Sequence, residues 1–336
     1  MRIRRSTAWG IALALTGVWA YSKRAASFAQ LHPELHSPLL RFRSPPFTST
    51  FVKLTRRLPV NLPVPGNISF ETQQIPGPSG APDVTVYVYR PLEQKEPTPA
   101  VIYLHGGGFV IGSAPMFHST AARYVRELGV VVVNVEYRLA PETPFPGPLE
   151  DAYAALKWMG DQAQTLGIDS DRIAVVGDSA GGGLAAALAQ LAHDRDGVQA
   201  AFQLLLYPML DDRTVLKTDH QGRGEFLWTP TSNQLGWSSY LGRPPLLDAA
   251  PEYASPARRQ NLSGLPPAWI GVGTLDLFYL EDQAYARRLN AAGVPCEFVE
   301  VSGAYHASET LNPNAAVSKA FLEQSMQALR RGLRLA

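Results

Sequence analysis

Six largely apolar runs, each the length of a strand and broken by a polar residue only at Asn134 and Glu300, punctuate this chain: residues 100–104, 130–135, 173–176, 204–206, 269–272 and 298–301. A strand with one wet face alternates polar and apolar side chains. A run that is apolar throughout belongs to a strand covered on both faces. Helix-like stretches separate the runs, near 117–128, 150–166, 180–194, 280–292 and 315–333. Buried strands alternating with helices predict an α/β fold, a parallel sheet with helices on both faces. Two earlier segments read differently. Residues 68–72 alternate, and 84–89 are β-branched and aromatic. Both predict half-exposed strands, antiparallel, at a sheet edge. Residues 22–65, rich in Pro, Ser and Arg, read as short helices and loops. Residues 209–265, with Trp228, Trp237, Tyr240 and several prolines, read as an inserted excursion.

Composition narrows the function. The chain has 336 residues, 46% of them apolar and 18% charged, which supplies a large core and excludes global disorder. Thirty Lys and Arg against 29 Asp and Glu leave a net charge of +1, so no basic field reaches out for nucleic acid. The one cysteine, Cys296, can form neither an intramolecular disulfide nor a thiolate zinc site. No HExxH or paired-carboxylate cluster calls for a metal, and no cofactor is expected.

The N-terminus is a separate question. Met1-Arg2-Ile3-Arg4-Arg5 carries three positive charges, and residues 8–21 are uncharged and mostly apolar. As a helix that stretch would span about 21 Å against a hydrocarbon core of roughly 30 Å. It is short for a membrane span and the right length for the apolar part of a signal peptide, though Lys23 and Arg24 follow at once. Residues 1–21 therefore read as a leader or anchor-like segment, and the chain as exported or membrane-anchored. The alternative is a cytoplasmic chain whose N-terminal helix packs on the body.

The chemistry begins at Gly177-Asp178-Ser179-Ala180-Gly181-Gly182, between the apolar run 173–176 and a helical stretch. Strand, sharp turn and helix are what a G-x-S-x-G nucleophile elbow requires. Gly177 and Gly181 lack the Cβ atoms that would collide where strand and helix approach, and a helix N-terminus behind the serine favours developing negative charge. The second motif is His105-Gly106-Gly107-Gly108-Phe109, directly after the run 100–104. Acyl transfer builds charge on a carbonyl oxygen and needs N–H donors already aimed at it; a glycine run lets bare backbone approach. No Lys-Ser/Thr follows, so a phosphate-binding Walker loop fails.

An elbow of this kind takes its acid and then its histidine further along the chain. Of the three later histidines, His193 lies near the far end of the helical stretch leaving the elbow. His220 lies in the excursion, and His306 follows the run 298–301 by a short loop. His306 fits. Asp276 follows the run 269–272 through Gly273-Thr274-Leu275 and fits as the acid. Glu281 and Asp282 are rivals at a helix start, where the helix dipole alone favours acidic residues.

Together these residues resemble the hormone-sensitive-lipase-like (family IV) esterases of the α/β-hydrolase fold, in their GDSAGG branch. The resemblance runs from about 70 to 330. It takes in HGGGF at 105–109, Glu136 to Glu142, Phe145-Pro146, Glu150-Asp151, GDSAGG at 177–182, Leu275-Asp276-Leu277 and His306. It implies a mostly parallel, eight-stranded sheet with a helical cap. Residues 22–65 would be the N-terminal part of that cap, and an insertion at about 209–245 the rest, on a catalytic domain of 66–336. It also implies a cofactor-free serine carboxylesterase acting on short- to medium-chain acyl esters through an acyl-enzyme. Ser179 would be nucleophile, Asp276 acid and His306 general base, with the N–H groups of Gly107, Gly108 and Ala180 as oxyanion donors. Gly106 and His105 would shape the loop, and an Arg138–Asp151 ion pair would be structural. Phe109, Trp228, Trp237 and Tyr305 would line the substrate pocket, or the aromatics would pack as plain cap core. One departure touches the pocket: the family often has a small residue and then Phe after its histidine, and here Ala307-Ser308 follows.

A long-chain lipase or an amide deacylase would use the same triad, and a receptor that has lost catalysis would use the same fold. Beyond the small-molecule ester, the expected partners are a membrane, through residues 8–21, and a second copy in a homodimer. A general base must be neutral, so activity should fall below about pH 6, near the ordinary histidine value. A rate unchanged at about pH 4 in a pH–rate profile would contradict His306 as base.

Overall fold

The computed structural model describes residues 26–41, 47–56, 63–94 and 97–335. The anchor-like segment 1–21, and with it membrane contact through 8–21, lies outside the described residues. Among those described, no helix is long and apolar enough to cross a membrane.

Eight strands form one sheet: β1 (Ser69–Ile75), β2 (Val84–Arg90), β3 (Thr98–Leu104), β4 (Val131–Glu136), β5 (Ile168–Asp178), β6 (Phe202–Leu206), β7 (Ala268–Gly273) and β8 (Cys296–Val301). Their order is β1-β2-β4-β3-β5-β6-β7-β8. The pairs β1–β2 and β2–β4 are antiparallel and every other pair is parallel. The two strands with half-exposed patterns thus lie at one edge, as their alternation predicts. The six apolar runs are the parallel interior and the far edge.

Alternation along each strand sorts the core into two layers. Ile102, Leu104, Val133 and Val175 face one way, onto helices α3 (Gly147–Asp161), α4 (Ala180–Asp194) and α6 (Tyr279–Ala291). Val101, Tyr103, Val132 and Val176 face the other way, onto α2 (His118–Leu128) and α7 (Ala316–Gly332). Two elements differ from expectation. The helix expected over 150–166 is two, Gly147–Asp161 and Ala163–Leu166, and the second closes on Gly167 in the left-handed region (φ 65°). Strand β5 starts at Ile168, five residues before its apolar run. There Thr98 pairs with Ile168 across a register shift, a contact that the polar sequence Asp169-Ser170-Asp171-Arg172 does not announce.

Two further segments pack over the carboxyl ends of the parallel strands. Leu31, Leu35 and Leu40 form a third apolar cluster with Phe226, Leu275 and Tyr305, and His32 N–H donates to Gly303 O at 3.0 Å. Helix α1 (Ser49–Thr55) is followed by Arg56, whose guanidinium donates to Val110 O at 2.6 Å and also bonds Ala140 O and Glu142. Phe47 N–H donates to Ser232 Oγ at 3.1 Å, which ties this region to α5 (Pro230–Leu241).

The Arg138–Asp151 pair is present and does a structural job. The fully buried Asp151 carboxylate accepts Arg138 Nη2 at 2.6 Å, Nε at 2.8 Å and the Arg138 backbone N–H at 2.9 Å. It clamps the exit of β4 to the first turns of α3. Asp151→Ala strands those donors. Because Arg138 is partly exposed, the loss should be about 2–3 kcal/mol of unfolding free energy in urea, below the range for a fully buried pair. A change under about 0.5 kcal/mol would contradict the clamp.

Candidate active site

The turn between β5 and α4 holds Ser179 at φ 56°, ψ −122°, in the left-handed region that side chains avoid. Neighbours over-determine it. Ser179 N–H donates to Leu206 O at 2.9 Å, while Ser179 O accepts from Gly183 N–H at 3.0 Å and Met209 N–H at 2.9 Å. The flanking glycines are steric necessities. A Cβ on Gly177 would lie 2.3 Å from Gly181 O, and one on Gly181 would lie 2.0 Å from Leu104 O. The second contact presses α4 against the exit of β3, where the triple glycine begins.

Asp276 and His306 leave adjacent parallel strands, β7 and β8, and their loops are joined backbone to backbone. Thr274 N–H donates to Val301 O at 3.0 Å, Leu275 N–H to Ala304 O at 2.9 Å, and Gly303 N–H to Thr274 Oγ1 at 2.9 Å. His306 Nδ1 lies 2.8 Å from Asp276 Oδ2, and His306 Nε2 lies 3.0 Å from Ser179 Oγ. A carboxylate only accepts, so Nδ1 carries the proton and Nε2 is left to accept from the serine hydroxyl. The other Asp276 oxygen accepts Phe278 N–H at 2.9 Å. All three side chains are buried.

The rivals lie elsewhere. Glu281 accepts Leu210 N–H at 2.8 Å, Asp211 N–H at 3.0 Å and the Thr214 hydroxyl, pinning the loop after β6. Burial, and then the Asp211 charge, push its carboxyl up to about 8. Asp282 is fully buried with neither oxygen partnered among the described residues, and burial, then the Glu281 and Asp276 charges, push its carboxyl well above the usual range. His193 lies beside Gly264, and His220 carries no bond to the serine.

The glycine loop folds back on itself: Val110 and Ile111 N–H both donate to Gly107 O, at 3.1 and 3.0 Å. Gly107 and Gly108 have φ of 130° and 61°. A Cβ on Gly106 would lie 2.9 Å from Asp178 Oδ2 and 3.4 Å from Ser179 Cβ, so the loop lies against the elbow. His105 braces it. Its Nδ1 donates to Gly106 O at 2.8 Å, and its ring stacks on Tyr137 at 4.3 Å and Phe117 at 5.7 Å. Burial lowers its imidazole to about 4, against the bond to Gly106, so it is neutral.

Of the four expected pocket residues, three come together. Phe109 stacks on Tyr240 at 4.0 Å and meets Trp237 at 5.5 Å. Trp228 covers the glycine loop, since a Cβ on Gly108 would meet its Cη2 at 2.2 Å, and its ring lies 6.1 Å from that of His306. Tyr305 differs from expectation. Its ring packs on Phe226 among Leu31 and Leu35, and its hydroxyl accepts from Asn312 at 3.0 Å. The loop turns the consecutive side chains of Tyr305 and His306 in different directions.

Sequence reasoning missed Asp178, Tyr207 and Glu309. Burial, foremost, lifts Asp178 to about 6, against a bond from Tyr103. Asp178 could have been singled out as the acid inside the elbow. Tyr207 and Glu309 carry no local signal.

Gly108→Ala adds a methyl where Trp228 stands, at a φ of 61° that side chains avoid. Displacing the Gly108 N–H, which the sequence leads one to expect as an oxyanion donor, should lower kcat/KM by about 10²-fold, and adding Trp228→Ala should recover part of it. Wild-type turnover in Gly108→Ala would contradict this role for the loop.

A family model described as alpha/beta hydrolase fold matches residues 101–310. The esterase LipI of Mycobacterium tuberculosis is 35% identical over 260 residues, 77% of this chain and 78% of the relative. The carboxylesterase NlhH of the same organism is 38% identical over 227 residues, 66% of this chain and 70% of the relative. Among solved structures, a bacterial heroin esterase superposes with a TM-score of 0.81 at 38% identity, covering 91% of this chain and 99% of that one. The chain belongs to the alpha/beta hydrolase fold family and, within it, to the hormone-sensitive-lipase-like carboxylic ester hydrolases.

Proposed function

We propose that this chain is a serine carboxylesterase that cleaves short- to medium-chain acyl esters of uncharged substrates through an acyl-enzyme on Ser179. The observation that carries the reading is the unbroken chain from Asp276 through His306 to Ser179, at 2.8 and 3.0 Å. Ser179 Oγ attacks the ester carbonyl as its proton passes to His306 Nε2. The N–H groups of Gly107, Gly108 and Ala180 take the oxyanion. His306 then protonates the leaving alcohol, and the acyl group stays on Ser179. Water, deprotonated by the same nitrogen, releases the acid and restores the serine. Asp276 holds the imidazole in the required tautomer and stabilises its cation.

Chain length follows from the cap. Residues 22–65 and about 209–245 act together over a catalytic domain of 66–336. Phe109, Trp228 and Trp237 wall the acyl side, and the closeness of Trp228 to Gly108 favours small acyl groups. The names of LipI and NlhH, esterase and carboxylesterase, support ester substrates. Attachment to a membrane through residues 8–21 and pairing of two copies belong to the same reading. Vesicle flotation and sedimentation of the full chain test them.

The deciding assay is hydrolysis of p-nitrophenyl acetate, butyrate, octanoate and palmitate. Turnover should be clear on the short esters, weak on palmitate, and should fall by at least about 10⁴-fold in Ser179→Ala. Best turnover on palmitate would make the chain a lipase. A folded chain inert on every ester but active on amides would make it a deacylase.

A further inference from the structure

Behind the imidazole lies a second acidic system that the triad does not use. Tyr207, the first residue after β6, takes up φ 37°, and its N–H donates to Gly271 O at 2.7 Å. Its ring stands edge-on to that of His306, with centroids 4.8 Å apart at 66°. The Tyr207 hydroxyl donates to Glu309 Oε1, and Glu309 also accepts from Thr310 Oγ1 at 3.3 Å. Glu309 follows His306 by three residues, and the turn between them runs through Ala307 in the left-handed region, φ 52°. The carboxylate is therefore a buried neighbour of the imidazole, reached from the same loop, while Tyr207 reaches both from another strand.

The groups facing Glu309 are few. His306 and Tyr305 come from its own loop, Tyr207 from the end of β6 and Asp178 from the end of β5. Asp178 and Glu309 line one cavity of about 290 Å³, whose wall also holds Arg123, paired with Glu127 at 2.7 Å. Burial raises the carboxyl of Glu309, and the Tyr207 bond and then its own backbone N–H oppose that, followed by the His306 charge. Hydroxyl donors and a cation forming beside it favour the ionised form of this carboxyl, against the burial that raises it.

We propose that Tyr207 and Glu309 are a positioning pair for the reaction: Glu309 anchors the phenol whose ring bears on His306, and its negative charge stabilises the imidazolium formed when the Ser179 proton arrives at Nε2. The proposal rests on the triad reading above. Glu309 touches neither substrate nor the reacting atoms and acts through His306 alone. No new bond is made. The proton still moves from Ser179 Oγ to His306 Nε2 and on to the leaving alcohol. Loss of the charge makes the imidazolium less stable, so the imidazole stays neutral to lower pH and is a weaker base once it must act.

The test uses Glu309→Gln, which keeps the size and can still accept the Tyr207 hydroxyl, and Tyr207→Phe, which keeps the ring and removes the bond that helps to keep Glu309 ionised. Profiles of kcat/KM on p-nitrophenyl acetate are taken between about pH 5 and 9. In Glu309→Gln the acid limb should move to lower pH by at least about 0.3 unit, and plateau kcat should fall about 3- to 10-fold with KM within about two-fold. Tyr207→Phe should shift the limb in the same direction, and it decides the matter if Glu309→Gln fails to fold. Variants that fold and keep the wild-type acid limb, or move it to higher pH, overturn the proposal whatever their kcat. A purely structural role would lower kcat and melting temperature together and leave the limb in place. If the wild type cleaves no ester, the triad reading has failed instead. Titration of isotope-labelled His306 by NMR, which needs no turnover, then decides the pair by the same downward shift or its absence.

Discussion

The backbone of Ser179 is the constraint on which the rest of this structure depends. A non-glycine residue in that conformation costs about 1–3 kcal/mol and persists only where its surroundings leave no alternative. Here those surroundings are long-range. Leu206 at the end of β6, Met209 beyond it and Gly183 inside α4 all bond the main chain of that one residue. Each works only if β5 lies next to β6 and α4 packs back on the sheet. Gly181 completes the frame, because its missing side chain lets α4 touch Leu104 O and His105 O at the exit of β3. Sheet order β3-β5-β6 and the strained backbone of Ser179 are thus one requirement seen from two sides.

The same sheet order delivers the other partners. Parallel neighbours end on the same side, so the loops after β3, β5, β6, β7 and β8 share one edge. The glycine loop, the elbow, Tyr207, Asp276 and His306 come from these five ends in that order. Asp276 and His306 need not be placed separately, because hydrogen bonds between their loops fix one relative to the other. Around them the protein is rich in buried acids. Asp178, Glu309, Glu281 and Asp282 are all raised by burial.

Above that edge the aromatic residues are tightly packed. Trp228 rests on bare backbone at Gly108, and Gly236 of α5 approaches Gly108 O so closely that a Cβ would stand 2.8 Å away. The described N-terminal pieces are held to this layer by the Phe47–Ser232 bond and by the cluster around Leu35. The layer above the serine is therefore built partly from segments far from it in the chain.

Much of this was legible in the residues themselves. Apolar runs marked the interior parallel strands because a strand covered on both faces has little polar side to show, whereas β8 at the far edge carries the exposed Glu297 and Glu300. The elbow and the triple glycine were readable because steric demand permits little else at those positions. Asp276 was separable from Glu281 and Asp282 because it alone follows a strand end by a short loop. What only the tertiary structure decided are the contacts between residues with no pattern of their own. The early start of β5 depends on Thr98 across the sheet. Tyr305 turns away from the pocket because Phe226 and Leu35 receive it. Glu309 meets Tyr207 across 102 positions of sequence. Periodicity and steric necessity are local and are written in the chain; the partner of a lone polar side chain is chosen by packing, which only the folded molecule specifies.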